Sequence, residues 1–182
     1  MLEAVCFYRA EQIYDVVAAS INTMNSSYEN LNLLLSGMIP FTNEKMSFLL
    51  MLIPVFRLPE GKTVRMYYCD AIQSLFRPAV ARQLEQGHLA QEIFCPDPDI
   101  AADLITALVN RLWTRICEMI INDEEMNEET DAADYLRLVQ RYRLSIEQLV
   151  SLPYGSIELI SLASLRLLSE QIHNHWPRNK HQ

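Results

Sequence analysis

Glycine is scarce in this chain, with four in 182 residues, and proline numbers only eight. A protein built mainly of strands needs many tight turns, and turns depend on these two residues. The shortage therefore excludes a mostly-β architecture. Positive charge is also short, 15 Lys and Arg against 23 Asp and Glu, for a net charge of -8. Nucleic-acid readers carry a basic stripe because phosphate contacts supply much of their affinity, so direct nucleic-acid binding by this chain is not expected. The most apolar run, Met46 to Phe56, is about half the ~20 residues a membrane helix requires and reads as a buried helix.

Chemical motifs are equally thin. Cys6, Cys69, Cys95 and Cys117 lie far apart, in no Cys-x-x-Cys or zinc-ligand spacing. No signal sequence opens the chain, so the reducing cytoplasm is the expected compartment and free thiols the expected state. Of the histidines, His88, His173, His175 and His181, three fall in the last ten residues, which read as a solvated tail over 174–182. His173 and His175 would point about 200° apart on a helix and could not share an ion. No metal site or cofactor is expected. Gly-x-Ser-x-Gly, a glycine-rich phosphate loop and His-Glu-x-x-His are all missing, and the expectation is a protein that is not an enzyme.

What the chain does have is helical periodicity. Half of its residues are apolar, enough for a real core in one domain. Ile13, Val16, Val17, Ser20, Ile21 and Met24 recur at steps of three and four, predicting a helix over Glu11 to Met24. A second, apolar on nearly every side, is expected from Thr42 or Asn43 to Pro54. After the Pro59–Lys62 turn a third carries Val64 to Ile72. Pro78 should divide it from a fourth ending at Gly87, a residue suited to the left-handed position after a helix. Asp97-Pro98 caps and starts a fifth, with Ile100, Leu104, Leu108, Leu112, Ile116 and Ile120 at intervals of four, ending at Asn122. A sixth follows the acidic cluster that opens at Asp123, starts at Asp131 or a neighbour, and stops at Leu152-Pro153-Tyr154-Gly155. Ser156 should then cap a final helix from Ile157 to His173.

Three stretches together resemble the tetracycline-repressor (TetR) family of transcriptional regulators. Phe7-Tyr8-Arg9-Ala10-Glu11-Gln12-Ile13-Tyr14-Asp15-Val16-Val17 is similar to the family's joint between recognition helix and body. Leu75-Phe76-Arg77-Pro78, Gln83 to His88 and Ile93 to Ala102 resemble its "long helix, Gly, short link, Phe, Asp-Pro, Ala-Ala helix" passage. Tyr142, then Ser145 to Ile157, is similar to the Leu-x-x-Pro-x-Gly-Ser end of its penultimate helix. The order and spacing extend over most of the chain.

The resemblance implies an all-α, TetR-like C-terminal helical bundle over residues 11–173 that senses a small, mostly apolar ligand and forms a homodimer. Residues 1–10 would be a remnant of the joint to a DNA-binding head, because so few residues cannot hold a three-helix head. The implied pocket lies among the middle helices, with Phe48, Met51, Phe56, Tyr67, Tyr68, Phe76 and Trp113 as candidate lining. Two late helices would pair across a two-fold axis through Tyr135, Leu138, Val139, Tyr142, Ile146, Leu149, Ile160, Leu167 and Leu168. The alternatives from other classes are a helical protein-interaction module without ligand, and a small helical enzyme. Plain intrachain packing would account for the same aromatic and aliphatic residues.

Overall fold

The computed structural model describes residues 2–22, 25–40, 54–56, 58–122 and 128–175. Among them the chain is all-helical. Its elements are α1 (Leu2–Ser20), α2 (Ser27–Gly37), α3 (Gly61–Leu89), α4 (Pro98–Asn122), α5 (Glu128–Leu149) and α6 (Leu162–His175). The long α3 is the central member, packed by α1, α2 and α4. The chain then passes from α4 to α5 and from α5 to α6 by contact of neighbours. No helix of the described residues is long and apolar enough to cross a membrane. The apolar segment expected from residue 42 to 53 lies outside the described residues.

α1 begins at Leu2, not Glu11, so residues 2–10 are continuous with the helix that follows. Cys6, Ala10 and Ile13 form its buried row, at steps of four and three. The helix expected as far as Met24 ends at Ser20, and a second helix follows from Ser27. Ser26 caps α2: its Oγ accepts from the Glu29 N–H at 3.3 Å, and the Glu29 carboxylate accepts from the Ser26 N–H at 2.8 Å. This reciprocal pair satisfies two N–H groups that a helix start leaves open. Asn30 ties the turn itself, its side chain bonding both the N–H and the carbonyl of Asn22.

α3 runs straight through Pro78, where a division was expected. The buried row Ile72, Phe76, Val80, Leu84 and Gly87 keeps the helical phase across the proline, while Pro78 itself is exposed. The carbonyl left without its N–H partner is that of Ser74, an exposed residue, so solvent is at hand to take the place of the lost bond. Gly87 does not end the helix either. Gln91 takes the left-handed position, with φ of 61°. Gly87 is small because the returning chain packs on it: a Cβ there would sit 2.7 Å from Ile93 Cδ1.

α4 starts as expected, with Asp97 Oδ1 accepting from the Ile100 N–H at 3.1 Å and Pro98 as first residue. Its intervals of four misstate its buried face, however. Each such step advances about 40° beyond a full turn, so the row winds around the helix. Ile100 and Leu104 are exposed at one end, and Leu112, Ile116 and Ile120 are buried at the other. Arg77 of α3 braces the start of α4 through Asp99 at 3.1 Å and Asp103 at 2.7 Å.

The last helix starts at Leu162, not Ile157, and Ser161 caps it in place of Ser156, its Oγ accepting from the Ser164 N–H at 3.1 Å. Residues 156–161 instead form a non-helical strap. Two side chains from other helices fasten it. Glu147 of α5 accepts from the N–H groups of Gly155 and Ile157 at 2.9 and 3.0 Å. Asn32 of α2 accepts from the Glu158 N–H at 2.9 Å and donates to the Ser156 carbonyl at 2.8 Å. Ile157 and Leu159 anchor the strap in the core.

Candidate ligand cleft

The aromatic residues expected to line an interior pocket, where described, pack in or against the core. Phe56, Tyr68, Phe76 and Trp113 are buried in the core, and Tyr67 is half-buried against it. Phe48 and Met51 lie outside the described residues. The Tyr14 ring meets the Phe76 ring edge to face at 5.2 Å, and Tyr68 meets Trp113 in the same way at 5.6 Å. Such pairs contribute about 0.5–1.5 kcal/mol beyond their area burial. The indole N–H of Trp113 donates to Asn110 Oδ1 at 3.1 Å, and the Asn110 amide donates to the Cys69 carbonyl at 3.1 Å. The tryptophan's donor is thus satisfied inside the core and is not held out toward a ligand.

The cysteines and the buried Tyr68 hydroxyl described in this interior are not activated as nucleophiles. Burial pushes the Tyr68 hydroxyl well above its ordinary range, with Arg9 opposing weakly. Burial also pushes the Cys69 thiol up to about 12, helped by nearby Asp70, and raises Cys117 strongly. Cys6 and Cys95 are raised for the same reason. All four cysteines are free thiols that stay protonated at neutral pH. No group of three or more metal-binding side chains occurs among the described residues.

Open space lies instead along α2. One cleft of about 1000 Å³ runs between α1 and the start of α6, with Ile13, Val16, Val17 and Ala163 on its walls and Gly37 at the α2 edge. A second, of about 490 Å³, lies between α2 and the strap, walled by Ile39, Leu159 and Ile160. Of the expected aromatic residues that are described, Phe56, Tyr67, Tyr68, Phe76 and Trp113, none lines either one. Both are in the size range of small-molecule sites. The reason for the first is visible in α1. Its apolar stripe is wider than the surface that α2 and α3 cover, so Val16 remains 66% exposed and Val17 half-buried. Where α1, α2 and α3 meet, Gly37 lets Val17 and Phe76 approach, since a Cβ there would lie 2.6 Å from Val17 Cγ2.

The expected pairing residues divide into two groups. Tyr135, Val139, Ile146 and Leu168 are already buried within a single chain. Leu138, Tyr142 and Leu167 are half-buried and Leu149 is exposed. Ile160 lies in the strap, beside the second cleft, and not on a helix. Sequence reasoning missed Asn32, Leu33, Ser36, Ser161 and Ser164, which border the clefts. The one signal pointing there was the breadth of the apolar stripe on α1. No protein-family model, no curated protein and no solved structure matches this chain.

Proposed function

We propose that this chain is the ligand-sensing and dimer-forming module of a TetR-type transcriptional regulator, binding a small, mostly apolar effector. The observation that carries the reading is the cleft against α1. The helix that holds the joint-like stretch Phe7 to Val17 also supplies the cleft's apolar wall through Ile13, Val16 and Val17. An effector there would touch the element that, in a complete regulator, leads to the DNA-binding head. Differential binding to two packings of that helix is what coupling between sites requires.

Dimerisation draws support from α5. At 100° per residue its buried row, Tyr135, Val139 and Ile146, continued by Val150 just past the helix end, adjoins a second apolar row about 70° around the helix. That second row, Leu138, Tyr142 and Leu149, is only partly covered by the chain itself. A two-fold partner presenting the same row would cover it.

Native mass spectrometry on the gently purified chain tests both parts. A mass of twice 21.1 kDa with an added small molecule that leaves on denaturation is the expected result. A bare monomer would count against the regulator reading and favour a helical protein-interaction module.

A further inference from the structure

The two clefts share four bordering residues: Leu33 and Ser36 on α2, Ser161 at the end of the strap, and Ser164 in the first turn of α6. We infer that they are two lobes of one groove. Its ligand is an elongated, uncharged amphiphile with an apolar group at each end and a hydrogen-bonding group between them. The inference rests on the sensor reading and adds the ligand's chemical class and its position.

Each lobe carries an apolar patch among polar residues, Ile13, Val16, Val17 and Ala163 in one and Ile39, Leu159 and Ile160 in the other, whereas the waist between them is mostly hydroxyl. Around the shared residues stand three hydroxyls. Ser36 Oγ donates to the Leu33 carbonyl at 3.2 Å, which leaves its lone pairs for an incoming donor. Ser161 and Ser164 hydroxyls lie 2.9 Å apart, and Ser161 Oγ also accepts from the Ser164 N–H. One hydroxyl proton of that pair satisfies the other oxygen, and the second proton is available to a ligand. The waist thus offers both acceptors and a donor.

Charge selects against anions. Among the described residues, the charged ones bordering the two lobes are Arg9 and Asp15 on one side and Glu29 and Glu158 on the other, one positive against three negative. Arg9 is already held by Gln12 at 3.2 Å, and Glu29 by its capping partner Ser26. A carboxylate or sulfonate entering the groove would meet more negative than positive charge on the described rim. The strap gives the second lobe a preformed wall, because Asn32 fixes its backbone from α2 whether or not a ligand is present.

The test uses N-phenyl-1-naphthylamine, a neutral probe with two apolar ring systems joined by one N–H, titrated into the full chain by fluorescence. Saturable binding of one probe per chain is expected. Ser164→Trp, which fills the waist, and Val16→Asp, which charges an exposed wall position and leaves the core untouched, should each weaken it at least about tenfold. Circular dichroism checks that both variants keep the helical fold. The anionic relative 8-anilinonaphthalene-1-sulfonate should bind more weakly than the neutral probe. Absence of saturable binding by the unaltered chain overturns the inference, as does binding that both variants leave unchanged. Two probes per chain, only one of them lost in Ser164→Trp, would show separate sites and overturn the single groove. Native mass of the same samples separates this outcome from the regulator reading. A dimer without probe binding removes the groove and leaves dimerisation standing, whereas a monomer that binds at the waist does the reverse.

Discussion

Replacing Glu147 by alanine should be among the most damaging single changes in this protein, although the residue touches neither cleft. Its side chain is 1% exposed, and one carboxylate oxygen takes the N–H groups of Gly155 and Ile157. Arg143 Nε stands 3.7 Å from the same oxygen, and the Arg143 guanidinium covers the Tyr154 ring at 4.6 Å. Hydrogen bonds to a charged group contribute about 1.5–3 kcal/mol each, and a buried donor left unmet costs about 1–3 kcal/mol. Gly155 is exposed, so water can replace its bond, whereas Ile157 is fully buried and its N–H would be stranded. Alanine should therefore cost about 3–5 kcal/mol, comparable to removing one member of a buried pair. In a chain of this size that lowers Tm by roughly 6–20 °C. Glutamine keeps an acceptor in place, and its cost should be about 1–2 kcal/mol from the lost charge. Urea unfolding followed by circular dichroism measures both variants. If desolvation of the carboxylate outweighs its bonds, Glu147→Gln will match or exceed the unaltered chain, and that result would refute the reasoning.

Three further outcomes are expected. Gly61→Ala should destabilise by about 1–3 kcal/mol in thermal melts, because the new Cβ would lie 2.5 Å from the Phe56 Cα, and backbone cannot step aside as a side chain can. Pro78→Ala should raise stability by about 1–3 kcal/mol, since an exposed interior helix position regains its N–H; a loss in the same melt would mean that the proline packs in a way not seen here. Stability should also fall as pH rises from 9 toward 12. The Cys69 thiol, ordinarily at 9.0, is held up to about 12 by burial, so over that window the unfolded chain has released a proton that the folded chain keeps. Cys69→Ser measured across the same pH range should show a shallower decline.

The sequence pattern conveyed helix content and the start of α4 well, because the Asp97-Pro98 cap and first turn are local chemistry. It misjudged α3 by giving Pro78 more weight than the uninterrupted row from Ile72 to Gly87. α2 went unread among asparagines and serines, although Ser26-x-x-Glu29 is a capping-box signature. The site was less legible than the fold. Aromatic residues stood out in the sequence, and the ones described pack in or against the core, where ring-on-ring contact is available. The clefts are assembled from α1, α2, the strap and α6, elements far apart in the chain, and apart from the periodic stripe of α1 many of their bordering residues are small or polar ones that carry no periodic mark.

The strap also determines where mutational tolerance should fall. Its backbone finds partners in two side chains from other helices, one of them 124 residues away from the carbonyl it holds. The position of α6 is therefore encoded as much in Asn32 and Glu147 as in the segment that leads into it. Exposed strap positions such as Glu158 can change at little cost to the fold so long as the peptide groups stay in place. The two remote residues cannot, and a library scanned position by position should find its intolerant sites one helix removed from the segment they control.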